Sequence, residues 1–481
     1  MGNSAGNIKD FWDQWRSLPR VIGGAIWEFK DQGLVKYDSA TGKPYYAYGG
    51  DFGERYFDNF TIKGVVAADG RPKAAMYECK RVFQPIQAEW SDSSKAIIKI
   101  INRSPVLSSA YYNGWLSIRE NGKLISRKPL EIPAIEAGTS IEWNLAKYLP
   151  KFKSGAEYHA DIEFTTKEDK PWAARGFVIA SNQLSLTPLV KHVSLNASVA
   201  FVEKDQQLVA QAGNVTVSID KLSGALTSYK KGNIELMGQA LLPHFTRPQT
   251  DNDRKGWKTH RVLKQWYDNQ PQLKSVAAAE AGGLKGVQST YTMVNDSVEL
   301  KVFYTVDKEG TVKVDYQLKA KPGLPNIPKV GMQTGVNKAF TQIQYFGRGP
   351  LENYIDRNYG FNAGVFDADI YDFMEPYVVP QENGNRTDVR WMNLYKKGTK
   401  DGISIVADSL LSMSAWPYSE KNIIEAKHTN KLYPADHITL NIDLIQMGVG
   451  GNDSWSEVAA PLEQYQLKAG QYRYSFYIRP L

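Results

Sequence analysis

The stretch "GGAIWEFKDQ" contains side chains that could do chemistry on a sugar. The indole of Trp27 could stack on the C–H face of a pyranose, and Glu28 or Asp31 could bind its hydroxyls or act on it. Neighbouring residues of a strand point to opposite faces, so Trp27 and Glu28 cannot both face one opening while they remain in a strand. A packed tryptophan and a solvated glutamate are the more frequent arrangement for such an isolated stretch.

A second stretch, "YGGDFGERYFDNFTIKG", contains the oxygen ligands that hard cations prefer, in Asp51, Glu54, Asp58 and backbone carbonyls. Its spacing matches no EF-hand, and a plain turn is the more frequent explanation. The chain has 6 histidines and lacks the HxH, HExxH and Cys/His clusters of transition-metal sites.

Glycine-rich stretches of the second half are further candidates. "GRGPLENYIDR" and "YVVPQENGNRTDVRW" combine glycine and proline with the polar residues Glu352, Asn353, Asp356, Arg357, Glu382, Asn383 and Arg386. Neither stretch has the spacing of a phosphate-binding loop, so turns with salt bridges are predicted. "MGVGGNDSWS" places Trp455 in a polar turn, where a ligand contact and local packing are both open interpretations.

Composition limits the class of protein. A chain of 481 residues predicts two to three domains. The single cysteine, Cys79, excludes an intrachain disulfide and leaves the compartment, cytoplasm or periplasm, undecided. The formal charge is +7, but the 58 basic residues are dispersed among 51 acidic ones, so nucleic acid is not a predicted partner. No apolar stretch approaches the roughly 18 residues of a membrane span, which predicts a soluble protein without a membrane partner.

The aromatic content, with 12 Trp and 27 Tyr, is the unusual feature of the composition. Aromatic residues favour β-strands, and this accounts for the content without a special function. Sugar binding is the alternative interpretation.

Residues 1–85 alternate between helix and strand. A first helix, with Phe11, Trp12, Trp15 and Leu18 on one side, is predicted to be capped by Asn3 or Ser4 and to stop at Pro19. The apolar run 21–29 then predicts a buried parallel strand. A second helix is predicted from Pro72, with Ala75, Met76, Cys79, Val82 and Phe83 on one side.

Such alternation is typical of a parallel sheet or barrel, but a closed eight-stranded barrel takes about 250 residues. Residues 1–85 cannot close a barrel alone, so we expect the missing strands upstream of Met1. Neither an N-myristoylation signal nor a secretory signal peptide fits the residues that follow Met1.

After residue 85 the helical period disappears. Residues 86–188 contain short alternating strands, with a hairpin predicted at Asn121-Gly122. Residues 189–481 continue this pattern and predict one large β-sandwich.

Together these stretches resemble the C-terminal half of the glycoside hydrolase family 2 β-galactosidases, the large lac-type enzymes. The resemblance extends over essentially the whole chain, from "MGNSAGN", "GGAIWEFKDQ", "YGGDFG" and "RPKAAMYECK" to "FTRPQTDND", "GRGPLENYIDR", "PYVVPQENGNR" and "MGVGGNDSWS". It implies a mainly β fold: the end of a (β/α)8 barrel in 1–85, an immunoglobulin-like β-sandwich in 86–188, and a large galactose-mutarotase-like β-sandwich of the small-chain type in 189–481.

The resemblance also implies an activity, the retaining hydrolysis of terminal β-D-galactosyl residues by two carboxylates about 5 to 5.5 Å apart. In that family the nucleophile glutamate closely precedes "MGNS" and the acid/base glutamate lies further upstream. No catalytic residue is therefore expected in this chain, which alone is expected to be inactive. The implied partners are a β-galactoside and the missing N-terminal part of the same enzyme, and a homo-oligomer is compatible with the resemblance.

The predicted substrate contacts are Trp27, Trp455 and Asp51. Phe60 resembles a residue whose backbone carbonyl meets a sodium ion near the galactose 6-hydroxyl. The family usually has Asn immediately before the following glycine, but this chain has Lys63, whose ammonium would repel Na⁺ or could replace it. Whole enzymes of the family use Mg²⁺ and Na⁺, and no cofactor is expected within this chain alone.

Two other functions stay open at this point. The chain could be a non-catalytic carbohydrate-binding subunit of a two-chain β-galactosidase. It could also be an aldose epimerase, which is disfavoured because that chemistry needs paired His and Glu on a concave face and the chain has only 6 histidines.

Overall fold

The computed structural model describes residues 2–55, 57–190, 193–195 and 197–481. Met1, on which the expectation about the start of the chain rests, lies outside the described residues. The α-helices are α1 Ile8–Ser17, α2 Ala74–Phe83, α3 Thr259–Val262, α4 Lys264–Tyr267 and α5 Glu420–Glu425, with a π-helical segment at Asn252–Trp257. Among the described residues, none of the helices combines the length and the apolar character that crossing a membrane requires.

The first segment, residues 2–85, contains both predicted helices. The centre of the Trp12 ring on α1 lies 4.5 Å from that of the Phe83 ring on α2. The predicted cap of α1 is wrong. The helix begins after Asn7, which has a positive φ and forms no side-chain cap. The side chain of Asn3 instead donates to the carbonyl of Glu382 at 2.7 Å, because the large sandwich offers it a buried acceptor.

The run 21–29 is not the buried strand that its apolar pattern predicts. Ile22 and Phe29 are exposed, and only the end of the run pairs in parallel with 63–66, through Val65 N to Glu28 O at 3.1 Å and Val66 N to Phe29 O at 2.9 Å. The parallel direction is therefore right and the burial is wrong. A parallel strand is buried by neighbours on both sides, and within the described part of the chain the other side has none. A short antiparallel hairpin follows, formed by β1 Leu34–Tyr37 and β2 Pro44–Ala47.

The second segment contains two antiparallel sheets. One has the strands β3 Ile86–Asp92, β4 Ile97–Asn102 and β7 Ser140–Asn144, and the other has β5 Tyr112–Glu120, β6 Lys123–Pro129, β8 Tyr158–Thr166 and β9 Val178–Ser185. Their inner side chains form one core that includes Ile98, Ile100, Leu116 and Ile162. The predicted turn at Asn121-Gly122 is confirmed: both residues have positive φ and join β5 to β6, as a type I′ turn requires.

The third segment is one 17-stranded antiparallel sheet that folds around a single core. Its strands are β10 Val202–Lys204, β11 Gln207–Ala212, β12 Val215–Asp220, β13 Leu226–Lys231, β14 Ile234–Glu235, β15 Met237–His244, β16 Gln272–Ala281, β17 Leu284–Met293, β18 Val298–Val306, β19 Val312–Ala320, β20 Lys329–Asn337, β21 Gln342–Gly349, β22 Asn362–Asp369, β23 Arg386–Tyr395, β24 Gly402–Trp416, β25 His437–Gln446 and β26 Gln471–Pro480. The fold is therefore mainly β, as predicted.

Strand β24 connects the two layers of this sheet. Its first half, 403–407, pairs with β26, and its second half, 412–416, pairs with β25. Strand β26 also pairs with β19 along its other edge. Buried side chains such as Val314, Ile405 and Ile442 fill the space between the layers.

Asp251 joins the first segment to the large sandwich. Its buried carboxylate accepts hydrogen bonds from the backbone of Gly2 at 2.9 Å and from Nδ2 of Asn59 at 2.9 Å, and Arg254 pairs with it at 2.7 Å. Because these partners come from two separate parts of the first segment, this one carboxylate holds both parts against the sandwich.

Candidate functional site

An aromatic cavity of about 680 Å³ lies where the first segment meets the glycine-rich turn 447–456 of the large sandwich. The residues that line it include Trp12, Trp15, Trp27, Phe60, Lys63 and Trp455. Trp27 and Trp455 are 79% and 70% exposed, so their indole faces are available to a ligand. Exposed indoles around a cavity of this size suit the apolar face of a sugar.

Three of the sequence-predicted residues are thus brought together, namely Trp27, Phe60 and Trp455. Asp51 does not line this cavity. Its carboxylate accepts a hydrogen bond from the backbone of Tyr48 at 2.7 Å and lies 2.8 Å from Nε2 of His428, because the loop that contains it folds back on itself and onto the large sandwich. The role of the three grouped residues as substrate contacts stays a prediction.

Three of the other candidate acids, Asp31, Glu54 and Asp58, have structural partners, whereas Oε1 of Glu28 is buried without a hydrogen-bond partner among the described residues. Asp31 is buried, pairs with Nζ of Lys73 at 2.6 Å and accepts from the backbone of Gly64 at 2.7 Å. Glu54 accepts from the backbone of its own loop, and Asp58 pairs with Lys255 at 2.6 Å. The loop carboxylates therefore do not converge on a cation. In the described ranges no three His, Cys, Asp or Glu side chains form a group that could hold a metal.

Arg247 positions the turn that contains Trp455. Its guanidinium forms two hydrogen bonds with Asp253, at 3.0 and 3.1 Å, and donates to the carbonyls of Met447 and Gly448 at 2.8 and 2.9 Å. Both side chains of the pair are almost fully buried. A planar guanidinium with several donors can satisfy this set of acceptors at once.

Asp356 fixes the next two residues of the same turn. Its Oδ2 accepts from the backbone of Val449 at 2.9 Å and of Gly450 at 2.7 Å. Burial raises the pKa of Asp356, while these two backbone donors oppose the rise. The main-chain carbonyl of Asp356 also accepts from Asn7 at 2.9 Å, so the first segment and the turn share one contact residue.

The sequence did not predict that Arg247, Asp253 and Asp356 position the cavity wall. The available signal was the occurrence of charged residues among prolines and glycines in "FTRPQTDND" and "GRGPLENYIDR". A predicted salt bridge occurs in the first of these stretches, where Nη2 of Arg357 lies 2.7 Å from Oε1 of Glu352. This pair is buried inside the sandwich.

A His–Glu pair exists in the large sandwich despite the small number of histidines. Nε2 of His244 lies 3.0 Å from Oε2 of Glu420, at the end of β15 and the start of α5. Gln333 donates to the same carboxylate oxygen at 2.8 Å. Oε2 of Glu420 therefore has two internal partners, whereas Nδ1 of His244 is buried without a hydrogen-bond partner among the described residues.

Glu382 gives the fold a measurable pH dependence. Burial raises the pKa of Glu382 to about 8, although the nearby Arg247 and Lys329 oppose the rise. In the unfolded chain a glutamate ionises near pH 4.3. Between these values the folded state binds more protons than the unfolded state, so the contribution of Glu382 to stability is fully present at acid pH and is lost as the pH rises towards 8.

We therefore expect Glu382→Gln to lose less stability than the unsubstituted chain between pH 5 and pH 8. Between pH 5 and pH 8 the unsubstituted chain should lose roughly 3 to 4 kcal/mol more unfolding free energy than the variant, measured by urea denaturation at both pH values. The exposed Glu309→Gln serves as the control and should leave the pH dependence unchanged. Identical pH dependence in the Glu382→Gln variant would contradict the assignment.

The implied sodium ion does not fit the residues present. Nζ of Lys63 lies 4.1 Å from the centre of the Phe60 ring, beside the residue whose carbonyl would bind the ion. A fixed ammonium repels a second cation. No step of the chemistry is therefore assigned to sodium in this chain. Magnesium likewise finds no cluster of carboxylate or imidazole ligands in the described part of the chain.

Family models match all three segments. The family described as "Glycosyl hydrolases family 2, TIM barrel domain" matches residues 1–88, "Beta-galactosidase, domain 4" matches 98–187, and "Beta galactosidase small chain" matches 211–478. The last of these alone accounts for more than half of the chain.

Curated relatives agree with these matches. A β-galactosidase of Priestia megaterium is 30% identical over 489 residues, which cover 100% of this chain and 47% of the relative. One of Psychromonas ingrahamii is 30% identical over 478 residues, with 95% and 45% covered. This chain therefore spans about half the length of the curated relatives that it matches.

Among solved structures, a galactose mutarotase related enzyme from Lactobacillus acidophilus covers 57% of this chain and 97% of its own, with 9% identity and a TM-score of 0.34. The family models place a barrel segment, domain 4 and the small chain in this order along the sequence. The chain belongs to the β-galactosidases of glycoside hydrolase family 2 and corresponds to their C-terminal part.

Proposed function

We propose that this chain forms the aromatic walls of the galactose site of a retaining β-galactosidase, and that the two catalytic glutamates come from the N-terminal part of the same enzyme. The observation that supports this most directly is the cavity between the first segment and the turn of the large sandwich, with Trp27 and Trp455 on its wall. The relatives named β-galactosidase support the substrate class.

The side chains available in this chain suit sugar binding, and the catalytic carboxylates are assigned to the N-terminal part. The indoles of Trp27 and Trp455 offer apolar faces on which a pyranose stacks, and they exclude water from the bond to be broken. Retaining hydrolysis needs two carboxylates about 5 to 5.5 Å apart, one as nucleophile and one as general acid. One acid of the first segment, Asp31, is already paired with Lys73.

The open side of the first segment supports a missing protein partner. Ile22 is fully exposed, and Phe29, towards the other end of the run 21–29, is 65% exposed. Exposed large apolar side chains along one stretch of chain are typical of an interface. The remaining strands of a barrel would cover these side chains and place their own carboxyl ends, where barrel enzymes have their active sites, at the aromatic cavity.

The experiment is complementation. We expect the chain alone to hydrolyse no nitrophenyl β-galactoside, and a mixture with the N-terminal part of the enzyme to hydrolyse it with retention of configuration. The matched control is the same mixture with the nucleophile glutamate of the N-terminal part replaced by Gln, which should be inactive. Turnover by the highly purified chain alone would overturn the proposal.

Complementation also distinguishes a shared active site from the alternative, a non-catalytic carbohydrate-binding subunit. If the N-terminal part is fully active alone and gains only affinity for galactosides in the mixture, this chain is a non-catalytic carbohydrate-binding subunit. Activity that requires both parts supports a shared active site.

A further inference from the structure

We propose that Lys63 takes the place of the sodium ion in the sugar site, and that its ammonium is a built-in cation that binds the 6-hydroxyl of a galactoside. The inference rests on the proposed function, since it concerns the same cavity. It makes two claims that go beyond that function: the enzyme needs no sodium, and one side chain replaces the ion.

The first observation is where the ammonium lies. Lys63 is half-buried and lines the cavity together with Trp27 and Phe60. Its Nζ lies 4.1 Å from the centre of the Phe60 ring and 5.8 Å from that of Trp27. Aromatic faces attract a cation, so the two rings stabilise the ammonium on the wall of the cavity.

The second observation is that the backbone around Lys63 is fixed. The carbonyl of Lys63 accepts from the backbone of Glu28 at 3.3 Å, and the next residue, Gly64, donates to the carboxylate of Asp31 at 2.7 Å. A Cβ at Gly64 would lie 2.2 Å from the backbone nitrogen of Asp31, so the two chain segments are in close contact. Lys63 is therefore presented from a rigid position.

The third observation concerns its hydrogen bonds. Among the described residues, Nζ of Lys63 contacts the rings of Phe60 and Trp27. No described carboxylate forms an ion pair with it. Two carboxylates of the first segment, Asp31 and Asp58, pair with other lysines. An ammonium has three donors, which remain for a ligand.

These observations point to an oxygen-bearing ligand. A hydrogen bond from a charged donor to a hydroxyl is stronger than one between neutral groups. The ammonium supplies the positive charge that the resemblance assigns to sodium near the 6-hydroxyl, and it excludes the ion by repulsion. The 6-hydroxyl is therefore the oxygen assigned to Lys63.

The test compares two substrates in the enzyme assembled from this chain and its N-terminal part. Nitrophenyl β-D-fucoside differs from nitrophenyl β-D-galactoside only by lacking the 6-hydroxyl. We expect Lys63→Met to lower kcat/KM for the galactoside by roughly 10- to 100-fold and for the fucoside by no more than about threefold. Lys63→Arg, which keeps the charge, should recover part of the loss on the galactoside.

A salt exchange tests the second claim. Replacing NaCl by KCl at constant ionic strength should leave both the rate and the tryptophan fluorescence of the unsubstituted enzyme unchanged. Equal losses on the two substrates, or activation by Na⁺, would overturn the proposal. If the assembled parts show no hydrolysis at all, the proposed function fails instead, and calorimetric binding of methyl β-galactoside and methyl β-fucoside to the complex still decides the role of Lys63.

Discussion

Replacing Arg247 by Met is expected to destabilise the chain by about 3 to 5 kcal/mol, because removing one member of a buried ion pair leaves the other charge uncompensated. The stranded group is the carboxylate of Asp253, which is 2% exposed. The carbonyls of Met447 and Gly448 also lose their donors. Urea denaturation, followed by tryptophan fluorescence, measures the loss.

An exposed arginine provides the matched control. Arg127 lies 3.1 Å from Glu163, and the two side chains are 45% and 25% exposed. Surface pairs of this kind contribute at most about 1 kcal/mol, so Arg127→Met should have a small effect. If the two variants lose similar stability, the buried network around Arg247 does not have the role assigned to it. A second change, Asp253→Asn, should recover part of the loss because it removes the stranded charge.

A single methyl group at residue 450 is expected to separate the turn from the first segment. A Cβ at Gly450 would lie 2.5 Å from the carbonyl carbon of Gly6, a contact that only backbone movement can relieve. Because Asp356 fixes the backbone of Gly450 on one side, that movement would break buried hydrogen bonds. We expect Gly450→Ala to cost about 3 kcal/mol and to weaken galactoside binding by the assembled enzyme.

The control for this prediction is Gly470→Ala. A Cβ there would meet nothing nearer than the carbonyl oxygen of Lys468 at 3.9 Å, so this variant should keep its stability. Circular dichroism during thermal unfolding compares the two glycine variants directly. Equal melting temperatures would show that the first segment and the turn are not in the close contact described.

The sequence predicted the features that depend on local patterns. The apolar spacing in α1 and α2 predicted both helices, and the Asn121-Gly122 turn predicted a hairpin because both residues readily adopt positive φ. The prediction of a buried strand at 21–29 was wrong because an apolar pattern indicates only that a segment could be buried. It does not report whether a neighbouring strand is present to cover the run.

The candidate site shows the same limit. Trp27 and Trp455 were identified from separate stretches, and folding places both on one cavity. Asp51 is in a stretch with equally suggestive chemistry, but its carboxylate is satisfied by Tyr48 and His428. The bond from Arg247 to Met447 crosses 200 residues, and no local periodicity contains information about such a partner.

The large sheet can close only late in biosynthesis, because its closure depends on β26, the last strand of the chain. This strand lies between β19 and the first half of β24, and the ribosome makes it after both neighbours. Until it emerges, each neighbour presents an open hydrogen-bonding edge to which another extended polypeptide can add. The pairing of Val312 with Ile478 also spans a long stretch of chain, which makes closure slow. A nascent chain of this protein is therefore exposed to aggregation through these edges until β26 has emerged and paired.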